Sequence, residues 1–190
     1  MSRKGIHAVS ILAAGACLAT LLLLVLSAAP HQARAQDGSE SQIQQGLAIS
    51  PVPMNIRGRN PSLVALGSYL VNSVGDCGAC HTWPNFANGG NPFLGQPEQI
   101  NVAGFMAGGR PFNPPGVVSR DITPYKNGLP AGLTLAEFVQ AIRTGHDSDD
   151  GELLQVMPWP ALRKMTNRDL AAIYAYLSSI PPIQPGPGAS

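Results

Sequence analysis

Charged and aromatic residues are both scarce in this chain of 190 residues. Asp, Glu, Lys and Arg together make up 12% of it, and Phe, Trp and Tyr make up 6%. Nucleic-acid-binding proteins present clustered Lys and Arg, so this composition argues against a nucleic-acid partner. So few aromatic residues also leave a thin protein core for this length. A large buried apolar ligand would correct that deficit.

The first 35 residues have the pattern of an export signal. Arg3 and Lys4 precede residues 8–29, which carry no charge, and Ala33-Arg34-Ala35 offers small residues where a signal peptidase cleaves. The apolar run also approaches the length that spans a bilayer, so an uncleaved membrane anchor stays open beside a signal peptide. In both cases we expect the rest of the chain in the periplasm or at its membrane face.

Cysteine is rare as well, with three in the chain, and two of them stand in one motif. Cys77-Gly78-Ala79-Cys80-His81 has the spacing of a covalent attachment site for c-type haem. Two thiols at this spacing can reach the two vinyl groups on one porphyrin edge, and His81 would then be the proximal iron ligand. A bare Cys-x-x-Cys also suits half a zinc site or a redox dithiol. Cys17 lies in the leader, however, and a Gly- and Pro-rich stretch follows the motif, so we predict one haem c bound through Cys77 and Cys80.

The rest of the chain divides into a linker, a domain and a tail. Residues 36–60 are polar and turn-rich, which predicts a flexible linker, and residues 183–190 predict a disordered tail. Between them, residues 61–182 form the predicted domain. Its long loop, residues 82–133, holds nine Gly and eight Pro. Such a loop fits a compact domain if it packs against a porphyrin.

Three segments of this domain carry the end signals of helices, which predicts an all-α fold. The signals are Asn60-Pro61 with Gly75, Thr134 and Glu137 with Gly145, and Thr166 and Asp169 with Pro181-Pro182. Between the last two helices, residues 147–152 are acidic but lack the spacing of an EF-hand. A solvated surface loop is the prediction there.

The second axial position on the iron separates electron transfer from bond chemistry. Its candidate ligands are Met54, Met106, Met157, Met165, His31 and His146. We predict Met157, because Pro158 and Pro160 restrict its loop just before the last helix. An iron with His81 and Met157 as ligands suits a one-electron carrier rather than an enzyme. An open position would instead suit a peroxidase-like haem enzyme or a haem-based sensor.

On these motifs the chain resembles the class I cytochromes c. More narrowly, it resembles the monohaem proteins and haem domains of cytochrome c associated with bacterial alcohol and aldehyde dehydrogenases. The resemblance covers about residues 61–182. The segments that carry it are Gly67 to Val71, Cys77 to His81, Asp121-Ile122-Thr123-Pro124, Leu135 to Gly145, Met157-Pro158-Trp159-Pro160 and Leu170 to Pro182.

The resemblance implies a small cytochrome c fold, in which N- and C-terminal helices cross around one covalently attached haem. It also implies His/Met ligation and electron transfer from a dehydrogenase to a respiratory acceptor, either an oxidase or another cytochrome. Two features depart from the family. Asp121 stands where many relatives have Asn, which puts a propionate contact there in doubt, and the chain has one haem motif where many relatives have three.

Overall fold

The computed structural model describes residues 38–113 and 115–183. The predicted leader, Cys17, His31 and residues 184–190 of the predicted tail lie outside them, so those predictions stay predictions. Within the described residues, no helix is long and apolar enough to cross a membrane. The chain divides into two compact units, Met1–Ser41 and Gln42–Ser190. Of the first unit only residues 38–41 are described, as the start of a helix, and the description below concerns the second unit.

Regular structure in the described residues is helical, as predicted. Helix α1 covers residues 38–49, and α2 covers Pro61–Tyr69 and continues as a π-helical turn over Leu70–Val74. The later helices are α3 at Gly78–His81, α4 at Leu135–Thr144, α5 at Trp159–Leu162 and α6 at Asn167–Leu177. Two short 3-10 helices, Pro92–Leu94 and Val102–Gly104, interrupt the long loop.

The predicted helix starts are confirmed because they depend on local chemistry. The Asn60 side chain accepts a hydrogen bond from the Leu63 N–H, and Pro61 occupies the first helical position. Capping boxes open α4 at Thr134 and α6 at Thr166. Each box satisfies backbone N–H groups that would otherwise lack a partner in the first turn of the helix.

Helices α2 and α6 pack together at Gly67. A Cβ atom at this glycine would lie 1.9 Å from the Ala172 carbonyl oxygen and 2.7 Å from the Tyr176 Cβ. The two backbones therefore meet at a distance that only glycine permits. Around this contact lies the hydrophobic core, whose buried members include Val64, Leu70, Val71, Leu170, Ile173, Tyr176 and Leu177.

The prediction of a flexible linker over residues 36–60 differs from the structure. Residues 38–49 are helical, and a Cβ at Gly46 would lie 1.9 Å from the Ala65 carbonyl oxygen, so α1 packs closely on α2. Val52 is buried in the core, and the Asn55 N–H donates to the Ser179 carbonyl at 2.8 Å. Residues 38–60 show no long apolar period because they pack through one glycine, Gly46, and a few individual contacts rather than through a continuous apolar face.

The Gly- and Pro-rich loop is held by scattered hydrogen bonds rather than by strands. The Gly108 N–H donates to the His81 carbonyl at 2.8 Å, and the Ile122 N–H donates to the Met106 carbonyl at 2.9 Å. Phe105 and Met106 are buried as expected of loop residues that contact the interior, whereas Phe93 is 87% exposed. The loop therefore buries its middle against the attachment motif and leaves its tip in solvent.

Candidate haem-binding site

One helical turn brings the three residues of the predicted attachment motif together. Cys77 is the N-cap of α3, and its carbonyl accepts the Cys80 N–H at 3.2 Å and the His81 N–H at 2.9 Å. Residues three and four apart lie on the same face of a helix, so both thiols and the imidazole share one side of this turn. The π-helical turn before it places the motif, since the Cys77 N–H donates to the Val71 carbonyl at 3.0 Å.

The two thiols are free and half-buried. Burial, reinforced by the nearby Asp76 and Cys80, raises the pKa of the Cys77 thiol to about 12. Cysteines that serve redox dithiols have a lowered pKa, because the thiolate is the reactive form. The environment of Cys77 thus differs from that of a reactive dithiol and suits a neutral thiol.

His81 is held with its Nε2 atom available. Its Nδ1 atom donates a hydrogen bond to the Arg120 carbonyl at 2.8 Å, since a carbonyl oxygen can only accept. This bond leaves the lone pair on Nε2, the tautomer that can ligate a metal. Burial lowers the pKa of His81, although the Arg120 carbonyl and Asp121 oppose that shift. Two free thiols and a neutral, oriented imidazole on one helical turn form a donor set that fits a c-type haem.

Side chains from the long loop close around the attachment turn. The Ala79 carbonyl, between the two cysteines, accepts hydrogen bonds from the Asn85 amide at 3.1 Å and from the Arg110 guanidinium. The same guanidinium lies over the rings of Trp83 and Phe112, 5.7 and 5.2 Å from their centroids. Sequence reasoning did not identify Arg110 or Asn85, and no local pattern marks either residue.

Met157 lies in a loop anchored by the tryptophan two residues later. The Trp159 ring packs on Gly145, where a Cβ would lie 2.2 Å from a ring atom, and Arg163 covers the ring at 5.8 Å. The backbone N–H of Trp159 donates to the Met157 carbonyl at 2.7 Å. Met157 itself is half-buried and packs against the core cluster that Cys77 also contacts. Its assignment as an iron ligand stays a prediction.

The other candidate ligands have different surroundings. Met106 is fully buried, and its backbone N–H donates to the Thr82 hydroxyl at 3.1 Å, beside the attachment turn. Met54 and Met165 are half-buried at the edge of the core. His146 donates a hydrogen bond from Nδ1 to the Gly151 carbonyl, 2.8 Å away, within its own loop.

Two acidic features lie beside Arg120, whose carbonyl accepts the His81 Nδ1–H. Asp121 is 2% exposed, its carboxylate accepts the Thr123 N–H at 2.8 Å, and burial raises its pKa. The acidic loop was predicted to be a solvated surface loop. It also has a structural contact, because Asp147 and Asp149 form ion pairs with Arg120 at 3.2 and 2.5 Å. Sequence reasoning missed Arg120, whose carbonyl also holds His81.

Comparison with known proteins gives three informative relatives, all cytochrome subunits of dehydrogenases. The chain is 34% identical over 116 residues to the fructose dehydrogenase cytochrome subunit of Gluconobacter japonicus, covering 60% of this chain and 20% of that protein. It is 31% identical over 155 residues to the cytochrome c subunit of the quinone alcohol dehydrogenase of Gluconacetobacter polyoxogenes, covering 75% and 30%. It is 33% identical over 119 residues to the gluconate 2-dehydrogenase cytochrome c subunit of Pantoea cypripedii, covering 62% and 23%.

The matches therefore reach only part of each relative. The chain spans between 20% and 30% of the length of these three proteins. No family model and no solved structure matches the chain. The relatives nevertheless confirm the resemblance predicted from the motifs: this chain is similar to c-type cytochromes that serve as subunits of bacterial dehydrogenases.

Proposed function

We propose that this chain is a single-haem c-type cytochrome that carries electrons one at a time from a dehydrogenase to a respiratory acceptor. The observation that carries the proposal is the attachment turn, where two free thiols precede an imidazole that the Arg120 carbonyl orients. The names of the relatives support a dehydrogenase as the donor and an electron-transfer role rather than a catalytic one. An oxidase or another cytochrome is the proposed acceptor.

In this proposal Cys77 and Cys80 anchor the cofactor covalently. Each thiol would add its S–H across one vinyl double bond, so each would hold the haem through a thioether and nothing would leave. Burial raises the pKa of the Cys77 thiol to about 12, so this residue is a neutral thiol in the haem-free chain. The bound haem supplies the redox chemistry, because its iron alternates between the ferrous and ferric states.

His81 and Met157 are the proposed axial ligands. His81 is neutral and presents Nε2, which suits a permanent ligand. The ring of Trp159, packed on Gly145, limits how far the Met157 loop can move. A thioether is a weak ligand, so a loop of this stiffness is what it requires. Two protein ligands leave no site for substrate, which favours electron transfer over peroxidase or sensor chemistry.

The fold and location extend the same proposal. We infer that α2 and α6, which meet at Gly67, are the crossing helices of a small cytochrome c fold. The leader would place the domain in the periplasm, free after cleavage beyond Ala35 or held at the membrane by residues 8–29. Mass spectrometry of the membrane and periplasmic fractions distinguishes a chain that begins at Gln36 from one that keeps its leader.

Covalent attachment is tested by producing the full chain in a host that matures c-type cytochromes. Acid–organic extraction under denaturing conditions should leave the haem on the polypeptide, one per chain. Replacing both cysteines, Cys77→Ser with Cys80→Ser, should release it. Complete extraction of haem from the wild-type chain would contradict the attachment.

The sixth ligand is tested by Met157→Ala, with Met165→Ala as the matched control. Thioether ligation gives ferric haem a weak charge-transfer band at long wavelength, which Met157→Ala should abolish and Met165→Ala should keep. An unchanged spectrum in Met157→Ala would refute the assignment. Rapid peroxide turnover by the wild type would favour an enzyme over an electron carrier.

A further inference from the structure

Arg120 joins the acidic loop to the predicted proximal histidine. Its carbonyl accepts the His81 Nδ1–H at 2.8 Å. At the other end of the residue, guanidinium Nη1 lies 3.2 Å from an Asp147 carboxylate oxygen, and Nη2 lies 2.5 Å from Asp149 Oδ2 and 3.1 Å from the Ala131 carbonyl. We call the ion pairs of Arg120 with Asp147 and Asp149 the Arg120 clasp.

The loop that supplies the two carboxylates is itself ordered by hydrogen bonds. The Asp147 N–H donates to the Glu152 carbonyl at 2.8 Å, and the Gly151 N–H donates back to the Asp147 carbonyl at 3.1 Å. The Asp149 N–H donates to Asp147 Oδ1 at 2.9 Å. The Asp147 carboxylate is thus held in place before it meets the guanidinium, so its ion pair loses less side-chain entropy than a pair of free surface residues would.

The Arg120–Asp147 pair of the clasp is better shielded than an ordinary surface ion pair, whereas the Asp149 side chain is 62% exposed. The side chains of Arg120 and Asp147 are only 28% and 24% exposed. Burial opposes charge on the guanidinium, yet contacts with Tyr125, Asp149 and Asp147 raise the pKa of Arg120 overall. Weakly solvated charges at this separation attract each other more strongly than exposed charges do. The clasp can therefore restrain the backbone at residue 120.

The position of the Arg120 backbone matters to His81 because the Arg120 carbonyl accepts the hydrogen bond from His81 Nδ1–H. A strong hydrogen bond from Nδ1–H makes an imidazole ligand more electron-rich, and an electron-rich ligand favours ferric over ferrous iron. The backbone beside this carbonyl is held by close packing, since a Cβ at Gly108 would lie 2.7 Å from the Arg120 carbonyl oxygen. The ion pairs of the guanidinium hold the same residue from its side-chain end.

We propose that Arg120 is a positioning residue: the clasp with Asp147 and Asp149 holds the Arg120 carbonyl against His81 Nδ1 and so lowers the reduction potential of the cytochrome. The inference rests on the proposed haem site. In this proposal the acidic loop orients the proposed iron ligand His81. It does so through Arg120, which lies 39 positions from His81 in the chain.

The test uses three variants of the full-length holoprotein. Arg120→Lys keeps the charge but cannot engage both carboxylates and the Ala131 carbonyl with one planar group. Asp147→Asn removes one negative charge and one side of the clasp. Glu152→Gln is the matched control, because it removes the same charge from the same loop without touching Arg120. The midpoint potential of each is measured by spectroelectrochemical titration.

We expect the first two variants to shift the redox equilibrium three- to tenfold toward the reduced form, about 30–60 mV for a one-electron couple. The control should shift it less than twofold. A second readout is the proton NMR resonance of His81 Nδ1–H in the ferrous protein, which should move upfield in Arg120→Lys and Asp147→Asn alone. A defect in folding by itself would not produce this paired result.

Two results would overturn the proposal. One is an Arg120→Lys holoprotein with the potential and Nδ1–H resonance of the wild type. The other is an equal shift in Glu152→Gln and Asp147→Asn, which would point to the field of the loop rather than to the clasp. If Arg120→Lys does not accumulate, the aspartate variant and its control decide the question. A wild type without covalent haem would refute the proposed function instead, which is a separate outcome.

Discussion

The contact at Gly67 gives the sharpest test of how this domain is held together. In Gly67→Ala, the new Cβ would lie 1.9 Å from the Ala172 carbonyl oxygen, 2.6 Å from its carbonyl carbon and 2.7 Å from the Tyr176 Cβ. Ordinary van der Waals contact begins near 3.4 Å. The difference requires a displacement of about 1.5 Å at the α2–α6 contact. Because the obstructing atoms are backbone atoms of α6 and a Cβ fixed to that backbone, no side-chain rotation relieves the overlap, and the helices must separate.

The expected magnitude follows from two opposing contributions. Overpacking of a well-packed core costs about 1–3 kcal/mol, and a clash with backbone places this site near the upper end. Alanine gains about 1 kcal/mol over glycine in helix propensity. The net loss in free energy of unfolding should be about 2 kcal/mol. For a domain of this size that lowers Tm by about 4–8 °C.

The assay is urea denaturation of the holoprotein followed by far-ultraviolet circular dichroism, with Gly38→Ala as the control. Gly38 begins α1 and has no atom within 4 Å of an added Cβ, so its substitution tests alanine in a helix without a clash. We expect the control to change stability by less than about 0.5 kcal/mol. A Gly67→Ala protein as stable as the wild type would refute the close approach of α2 and α6.

Two further substitutions test other parts of the domain in the same assay. Tyr176→Phe removes a buried hydroxyl that lies 3.0 Å from the Ser50 hydroxyl and 3.1 Å from the Asn72 amide. The free energy of unfolding should fall by about 1–2 kcal/mol. An unchanged free energy would show that neither hydrogen bond contributes to stability. Glu137→Gln tests a pH dependence, because hydrogen bonds from Thr134 lower the pKa of Glu137 below 4.5. The stabilisation by that carboxylate is complete above pH 4.5 and is lost as the pH falls through the lowered pKa, so the difference between wild type and variant should shrink from pH 7 to pH 3. An equal difference at both pH values would contradict the assignment.

Several features could be read from the sequence because their causes are local. Asn60-Pro61 begins α2, and the capping box at Thr134 opens α4, since a cap is satisfied by backbone atoms within the same turn. The spacing of Cys77, Cys80 and His81 places them on one face of any helical turn, whatever surrounds it. The same motifs identified the resemblance to dehydrogenase-linked cytochromes.

Local sequence was less informative where a segment depends on distant partners. Residues 38–49 have too little apolar period to predict a packed helix, and α1 docks through the absence of a side chain at Gly46. Phe93 has the character of a core residue, yet its loop ends in solvent. In both cases burial was decided by which surface the rest of the chain presents, and a residue type alone does not specify that surface.

The sequence alone determined the helix ends, the ligand spacing and the family resemblance, because each arises from residues within a turn or two of one another. Only the tertiary structure decided the partners of those residues. His81 donates its hydrogen bond to a carbonyl 39 residues away, which any residue type could have supplied. Arg120 then meets Asp147 at a separation of 27 residues. Backbone acceptors leave no mark in a sequence, and long-range pairs exist only after the chain has closed the loops between them.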